Sequence, residues 1–405
     1  MLAKTDADDV RAHNRHAVID HLRRTPISTR KAVSEATGLS VSAASAIATA
    51  LLRAGILEEV DDDGREARRG RPGKALTLAA SAANVAIGKV AVGEVSVRFA
   101  NYAGAVRGEA RRECDLSDFG RDEIVAVLLA LLREAAGDTP RPAFGKLIVA
   151  VQGKTDSGLS RILWSPALKA RNLDIAAPLA AATGADVQVF NDCSLMPEAF
   201  RWTPDFSGRD FATLFIGFGV GMGLRLGGST FQGQRSSAVE FGHINHMPGG
   251  ALCRCGNHGC VEAYAGDYAI WRRAHGQADA VPTRRISDAD MHGLAALARD
   301  GQGAAATAFE EAGLAIGYGL GRVFTLIDPL PIVFTGSGAH AMDLLEPAIR
   351  RGIRESAIDG LGADTAFSIA EDVDQLIFSA ATAHALAALD DRFARFAGTE
   401  IEEAA

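Results

Sequence analysis

Between Glu240 and Glu262 the chain reads EFGHINHMPGGALCRCGNHGCVE, a Gly-rich span holding three His, three Cys and two Glu. Three thiols within eight residues must converge on something, so this stretch limits the fold more tightly than any other. One imidazole with three thiolates is a usual tetrahedral set for structural zinc, and Cys253, Cys255 and Cys260 supply the thiolates. His243 is a candidate nitrogen ligand, with His246 and His258 as its rivals. Gly256 and Gly259 permit the tight turns that convergence needs. Free or disulfide-bonded thiols are the weaker alternative, because nothing else points to an oxidising compartment. The expectation is a closed, structural zinc loop over residues 243–260, with the carboxylates of Glu240 and Glu262 beside it.

A chain of 405 residues with 48% hydrophobic content buries a large core and divides into two or three domains. No apolar run reaches the ~18 residues that a membrane span requires, and the N-terminus, MLAKTDADDV, is acidic and polar, unlike a signal peptide. Cytoplasmic residence is therefore expected. The net charge of -8 argues against general affinity for nucleic acid, but the charge is uneven. Residues 1–80 carry 13 Lys+Arg against 11 Asp+Glu, a net of +2, which leaves 29 against 39, a net of -10, for the remainder. The front of the chain alone tolerates a polyanion.

Residues 10–24, VRAHNRHAVIDHLRR, place Val10, Ala17, Val18, Ile19 and Leu22 at mostly helical spacing, and Pro26 ends that helix. Ser28 and Thr29 then supply an N-cap for a short helix through Ala36, and Gly38 closes the turn. Ser40 caps a third helix, with Ala44, Ile47, Ala48, Leu51 and Leu52 on one face until Gly55. These elements make a helix-turn-helix.

After Gly55, ILEEV and REARRGRPGKALTL read as two strands around a charged tip, a wing. Arg65, Arg68, Arg69, Arg71 and Lys74 are opposed only by Glu66, so phosphate contacts are expected there, and RGRPG has the composition of an arm entering an A·T-rich minor groove. A solvated linker is the plainer alternative; the wing's position behind a helix-turn-helix favours DNA. The third helix offers Ser40, Ser42 and Ser45 but no Arg, Asn or Gln in its first turns, so direct base readout is thin. Specificity then rests on the wing, groove shape and dimer spacing.

From about Val85 short apolar strands alternate with helical stretches, as in an α/β domain. VAIGKVAVGEVSVRFANYAG reads as a hairpin, DEIVAVLLALLREAAG as a helix, KLIVAVQG as a buried strand and DIAAPLAAATG as a helix ended by Gly184. ADVQVFND carries a strand up to Asn191 and Asp192, at the carboxyl end where α/β proteins build sites. A second set follows: FATLFIGFGVGMGLRLGG as a Gly-laced hairpin, Asp288 to Leu326 mostly helical, PIVFTGSG as strand and turn, and a final helix from Asp374 to about Leu389. Two α/β lobes with a cleft between them are expected.

These residues resemble the ROK proteins, a family of sugar kinases and sugar-responsive repressors on an actin-like ATPase fold. Glu240-Phe241-Gly242-His243 is similar to the family's E-x-G-H, and CRCGNHGCVE to its C-x-C-G-x-x-G-C-x-E. The resemblance implies that His243, rather than its rivals, completes the zinc site with Cys253, Cys255 and Cys260. It implies that Asn191-Asp192 matches the N-D pair whose Asp is the general base in kinase members, and that Gly153 lies where a backbone glycine approaches the sugar. The expected architecture is a winged helix-turn-helix over residues 1–80 followed by a two-lobed ROK domain over 85–405.

Chemistry supports such a ligand set independently. A hexose presents a ring of hydroxyls that donate and accept, and carboxylates accept without needing a donor in return. Glu240, Glu262 and Asp192 are the acceptors, and His243 can hold metal through one nitrogen and ligand through the other. Kinase activity is not expected. The family's first phosphate loop reads D-x-G-G-T, whereas Val90-Ala91-Val92-Gly93-Glu94 stands here: the metal-associated Asp is Val90, one Gly is Val92 and the Thr is Glu94. A carboxylate beside a triphosphate repels it, and Val92 adds a Cβ where backbone amides should approach. The second loop, Gly217 to Gly223, and Thr335-Gly336-Ser337-Gly338 keep their glycines. The expected molecule is a regulator, a repressor that binds an operator as a homodimer or tetramer under the control of a sugar; a sugar kinase with an added DNA-binding domain is the alternative.

Overall fold

The computed structural model describes residues 7–61, 74–137, 144–237, 239–277, 286–301 and 303–395. Arg68, Arg69 and Arg71 of the expected wing tip lie outside the described residues. Among the described residues no single helix is long and apolar enough to cross a membrane.

The first element is the helix Ala7–Arg24, three residues longer at its start than its apolar pattern suggests. The next helix, Arg30–Thr37, begins where the Thr29 hydroxyl accepts the Ala32 N–H at 3.2 Å and ends at Gly38, whose φ of 71° suits a residue without Cβ. Ser28 does not share the cap; it pairs with Leu76 in a short strand, and its hydroxyl lies 2.8 Å from His21 Nε2. The Ser40 hydroxyl accepts the Ala43 N–H and caps the third helix, Val41–Arg53. Strands Leu57–Asp61 and Lys74–Leu78 pair antiparallel, and Ser28–Thr29 joins the outer side of the second to complete a three-stranded sheet. Val18, Ile19, Leu22, Val33, Ala44, Ala48, Leu51 and Leu76 are buried, so a winged helix-turn-helix is built around one small core.

The described chain forms two compact units. The first takes everything up to Asp192, residues 198–207 and the chain from Phe378 onward, and so includes the winged helix; the second takes 193–197 and 208–377. Each unit carries one five-stranded mixed sheet. In the first, the strands in chain order are Asn84–Ala91, Glu94–Asn101, Val106–Glu113, Lys146–Val151 and Asp186–Asn191; in the second, Phe211–Ile216, Val220–Leu226, Ser229–Thr230, Ile332–Thr335 and Phe367–Ala370. Both sheets run third, second, first, fourth, fifth. In both, the first three pair antiparallel and the first, fourth and fifth run parallel. Two sheets of one topology are what the α/β, actin-like expectation requires.

In the first unit the helix Arg121–Ala136 buries Ile124, Leu128 and Leu131 in one cluster with Val97, Phe99 and Val149. The strand Val106–Glu113 has no apolar alternation because it is an edge strand, with most of its charged side chains in solvent. In the second unit the helical stretch after Asp288 is two helices, Asp288–Arg299 and Ala304–Ile327. The longer one packs against Met342–Ser356 so closely that a Cβ on Gly317 would sit 2.2 Å from the Ile349 carbonyl oxygen. The final helix runs Val373–Arg395, six residues past its expected end at Leu389.

Candidate metal centre and ligand-binding residues

The loop from His243 to Cys260 is held by backbone bonds rather than by regular structure. His246 and Met247 N–H both donate to the Gly259 carbonyl, Cys253 N–H to Asn257, and Gly259 N–H to Ala251. A Cβ on Gly259, at φ 83°, would lie 1.7 Å from the Met247 carbonyl oxygen, so only glycine fits this crossing. The folded loop brings His243, Cys253, Cys255 and Cys260 together with their ligand atoms all within 4.8 Å of one another. Cys255 and Cys260 Sγ are 3.7 Å apart, and Cys253 Sγ is 3.8 Å from His243 Nδ1. A tetrahedral zinc with Zn–S bonds of ~2.3 Å has S···S edges of about 3.8 Å, whereas a disulfide requires ~2.05 Å. The spacing fits a tetrahedral metal site and is too long for a disulfide, and all three cysteines are free. His246 and His258 fall outside the cluster; the His258 ring approaches the Gly250 carbonyl at 2.9 Å. Burial, then the Glu262 carboxylate, raises the Cys253 thiol above its ordinary value, and burial pushes Cys260 up to about 11. Thiolates in this setting need a cation among them, and the four side chains are a donor set that could hold one.

The two glutamates differ. Glu240 is exposed at the start of the short 3-10 helix Phe241–His243. Glu262 is buried at 7% exposure: its Oε2 accepts the Val220 N–H at 3.2 Å, and its Oε1 lies 3.4 Å from the Tyr268 hydroxyl and 3.7 Å from Cys253 Sγ. It therefore braces the Gly-rich hairpin against the zinc loop, which its spacing in the sequence did not reveal. Three further residues went unnoticed. Arg254 donates to the Phe218 carbonyl at 3.0 Å and stacks 3.8 Å over the Phe218 ring, holding the second Gly-rich turn. Buried Arg272 donates to the Leu252 and Ala263 carbonyls on either side of the cysteines. Burial, then Glu262, keeps the Tyr268 phenol protonated, as a donor needs. Arg254 had one sequence signal, a cation between two candidate zinc thiolates; the others had none.

In the first unit Asn191 ends the fifth strand and Asp192 begins the short helix Asp192–Leu195. The Asn191 amide donates to the Gly153 carbonyl at 2.5 Å and to Asp192 Oδ1 at 3.2 Å, so the three expected residues form one constellation. Gly153, at φ 141°, abuts Trp164 and Ser165: a Cβ there would lie 2.2 Å from the Trp164 carbonyl oxygen. Both Asn191 and Asp192 are half-buried.

The first hairpin turn is closed by the chain itself. Val92 N–H donates to Gln152 Oε1 at 3.0 Å, and Glu94 is paired with Lys89 at 2.9 Å and Arg111 at 3.4 Å and accepts from the Ser96 hydroxyl. An amide and a carboxylate thus occupy positions where a phosphate loop offers free donors.

On the winged helix, Ser40 and Ser42 are exposed with their hydroxyls 3.0 Å apart, Ser45 is half-buried, and the Lys74 ammonium is 3.2 Å from Glu59. Val41, between the two serines in sequence, is 63% exposed.

A model described as the ROK family matches residues 110–383. A glucokinase of Streptomyces coelicolor is 29% identical over 235 residues, covering 53% of this chain and 73% of that protein. The N-acetylglucosamine repressor of Escherichia coli O6:H1 is 31% identical over 145 residues, so the chain spans about a third of that repressor's length, 35% of each. Among solved structures, a ROK family transcriptional regulator, homolog of the E. coli MLC protein, superposes with a TM-score of 0.77 at 23% identity, covering 95% of this chain and 99% of that one. At that identity the likeness speaks for the fold.

Proposed function

Because the chain belongs to the ROK family, we propose that it is a DNA-binding transcriptional regulator, a repressor, controlled by a sugar or sugar derivative. The observation that carries this reading is the winged helix-turn-helix at the head of a ROK body. Residues 1–80 are assigned to DNA and residues 85–405 to sensing. Ser40, Ser42 and Ser45 on the third helix, with Arg68, Arg69, Arg71 and Lys74 on the wing, are the proposed DNA contacts. Lysine and arginine neutralise phosphates, and short hydroxyls let the helix approach the groove floor. Operators read by such units are usually two half-sites, so a homodimer or a dimer of dimers is proposed. Its place of work is the cytoplasm, with the DNA.

Sugar recognition is assigned to Gly153, Asn191 and Asp192 in the first unit and to Glu240, His243 and Glu262 in the second. Asp192 and Glu240 accept from hydroxyls. His243, with Nδ1 turned toward Cys253, keeps Nε2 for a ligand, and Glu262 acts through the hairpin it braces. Zinc on His243, Cys253, Cys255 and Cys260 is structural: it fixes the imidazole and the loop. A sugar alters DNA affinity only through unequal affinity for the DNA-competent and DNA-released states. The names of the relatives suggest glucose and N-acetylglucosamine as the first candidates.

A glucokinase relative and the intact Asn191-Asp192 pair favour a second reading, ATP-dependent hexose phosphorylation with Asp192 as base. Coupled ADP release over a panel of hexoses and amino sugars, beside binding of labelled DNA from the gene's own upstream region, separates the two. Turnover abolished by Asp192→Asn supports the enzyme; sequence-selective DNA binding without turnover supports the regulator.

A further inference from the structure

The helix Ala7–Arg24 has two working faces. Val18, Ile19 and Leu22 are fully buried, and the helix packs on the other two helices of the winged domain and on strand Lys74–Leu78. A second face, at Arg15, His16, Asp20 and Arg23, is bonded instead to the body of the first unit. Arg15 Nε donates to the Ala394 carbonyl at 2.6 Å, His16 Nδ1 lies 3.1 Å from Asp391, and Asp20 Oδ1 accepts the Trp202 indole N–H at 3.1 Å.

Arg23 makes the central attachment. Its Nε and Nη2 grip both oxygens of Asp390 at 2.9 and 2.8 Å, its Nη1 donates to the Tyr102 carbonyl at 2.5 Å, and both charged side chains are only 3% exposed. The Tyr102 hydroxyl donates to Asp390 Oδ1 at 2.6 Å, and the guanidinium lies 4.4 Å from the Tyr102 ring and 5.3 Å from that of Trp202. A buried ion pair is a poor source of stability, since apolar residues of the same size often do as well, but a bidentate pair fixes direction. Four segments far apart in sequence meet here.

Two of the three segments that grip the helix, those of Trp202 and Asp390, lead back to the Asn191-Asp192 constellation. Trp202 follows it directly, through the helix Asp192–Leu195 and the 3-10 helix Met196–Phe200. Asp390 lies on the helix Val373–Arg395, whose His384 ring packs edge-on against Phe190, the residue before Asn191, at 4.7 Å. We propose that Arg23, Asp390, Tyr102 and Trp202 are the positioning residues through which the sugar site sets the attitude of the winged helix on DNA. The proposal rests on the effector-controlled reading above and names its joint.

The test uses the full chain and three proteins: wild type, Asp390→Asn, which keeps shape and removes charge, and Trp202→Phe, which keeps the ring and removes the donor. For each, affinity for upstream-region DNA is measured with and without glucose or N-acetylglucosamine, and sugar binding is measured separately by calorimetry. In wild type one of the sugars changes DNA affinity by about tenfold or more. In Asp390→Asn that factor falls below about threefold while the sugar dissociation constant in the absence of DNA moves by less than that, a split that simple loss of fold does not produce. Should Asp390→Asn fail to fold, Trp202→Phe decides: it too must uncouple. A variant that keeps both sugar affinity and the wild-type factor overturns the joint alone. A wild type whose DNA affinity neither sugar moves overturns the effector reading and the joint with it.

Discussion

Glu94 Oε1 lies 2.9 Å from the Lys89 ammonium in the turn that ROK kinases devote to phosphate. Lys89 is nearly inaccessible on a strand whose other residues, Asn84 apart, are apolar, so the carboxylate is its counter-charge. Removing one member of a buried pair is destabilising, here by about 3 kcal/mol at most because Lys89 keeps another interaction. Glu94→Thr, which restores the hydroxyl of the family loop, is therefore expected to lower stability by up to that amount and to gain no hexose-dependent ADP release. Chemical denaturation and the coupled assay read the two outcomes; a stable, active variant would show the loop to be a latent phosphate site.

Zinc analysis of protein purified without chelator should return one metal per chain. Cys253→Ser, Cys255→Ser, Cys260→Ser or His243→Ala should lower that content and the melting temperature, because the loop has almost no regular structure to replace the metal. Cys114→Ser and Cys193→Ser should leave the zinc content unchanged. Full zinc content in Cys260→Ser would sink the four-ligand assignment.

The two glutamates should separate. Glu240→Gln, at an exposed position, is expected to weaken sugar binding with stability unchanged within about 0.5 kcal/mol. Glu262→Gln disturbs the Val220 and Tyr268 contacts, so it should cost stability of about 1–3 kcal/mol and some zinc retention before any effect on sugar is measured. Equal stability losses in both would contradict the division of labour between them.

Much of this was legible in the sequence because the signals are local. Thr29, Gly38 and Ser40 punctuate the helix-turn-helix where the structure caps it, and the Cys and His of the loop lie within a few turns of chain. What escaped is long-range. Arg23 and Asp390 are 367 residues apart, and each by itself is an ordinary charge near the end of a helix. The sequence reading ends the final helix at about Leu389, yet the helix runs on and Asp390 is buried against the first helix. For Glu262, spacing places it beside the cysteines but does not say which way it faces, so its bond to the Val220 N–H could not be read from the sequence. The wing's Arg68, Arg69 and Arg71 stand on composition alone.

His384 predicts a pH dependence. Burial lowers its imidazole to about 4, with Glu198 opposing and Arg201 and Lys146 adding to the fall, and its Nδ1 has no hydrogen-bond partner among the described residues. The folded state therefore binds fewer protons than the unfolded state between pH ~6.5 and pH ~4, so stability rises with pH across that window. The contribution is fully present above pH ~6.5 and is lost on acidification, by about 2 kcal/mol at pH 5 and on the order of 3 kcal/mol at pH 4. Denaturation of wild type against His384→Gln isolates it: the difference between them should shrink or reverse as pH falls from 7.5 to 5. A constant difference would show that the ring is not held neutral.

The most direct test of the central claim is in vitro selection of random double-stranded DNA on the purified full chain at moderate salt, followed by competition binding. A regulator of this build enriches one sequence with two related half-sites, bound at least about a thousandfold more tightly than random DNA. Selection that ends in no common sequence, with binding that varies only with salt, would contradict it.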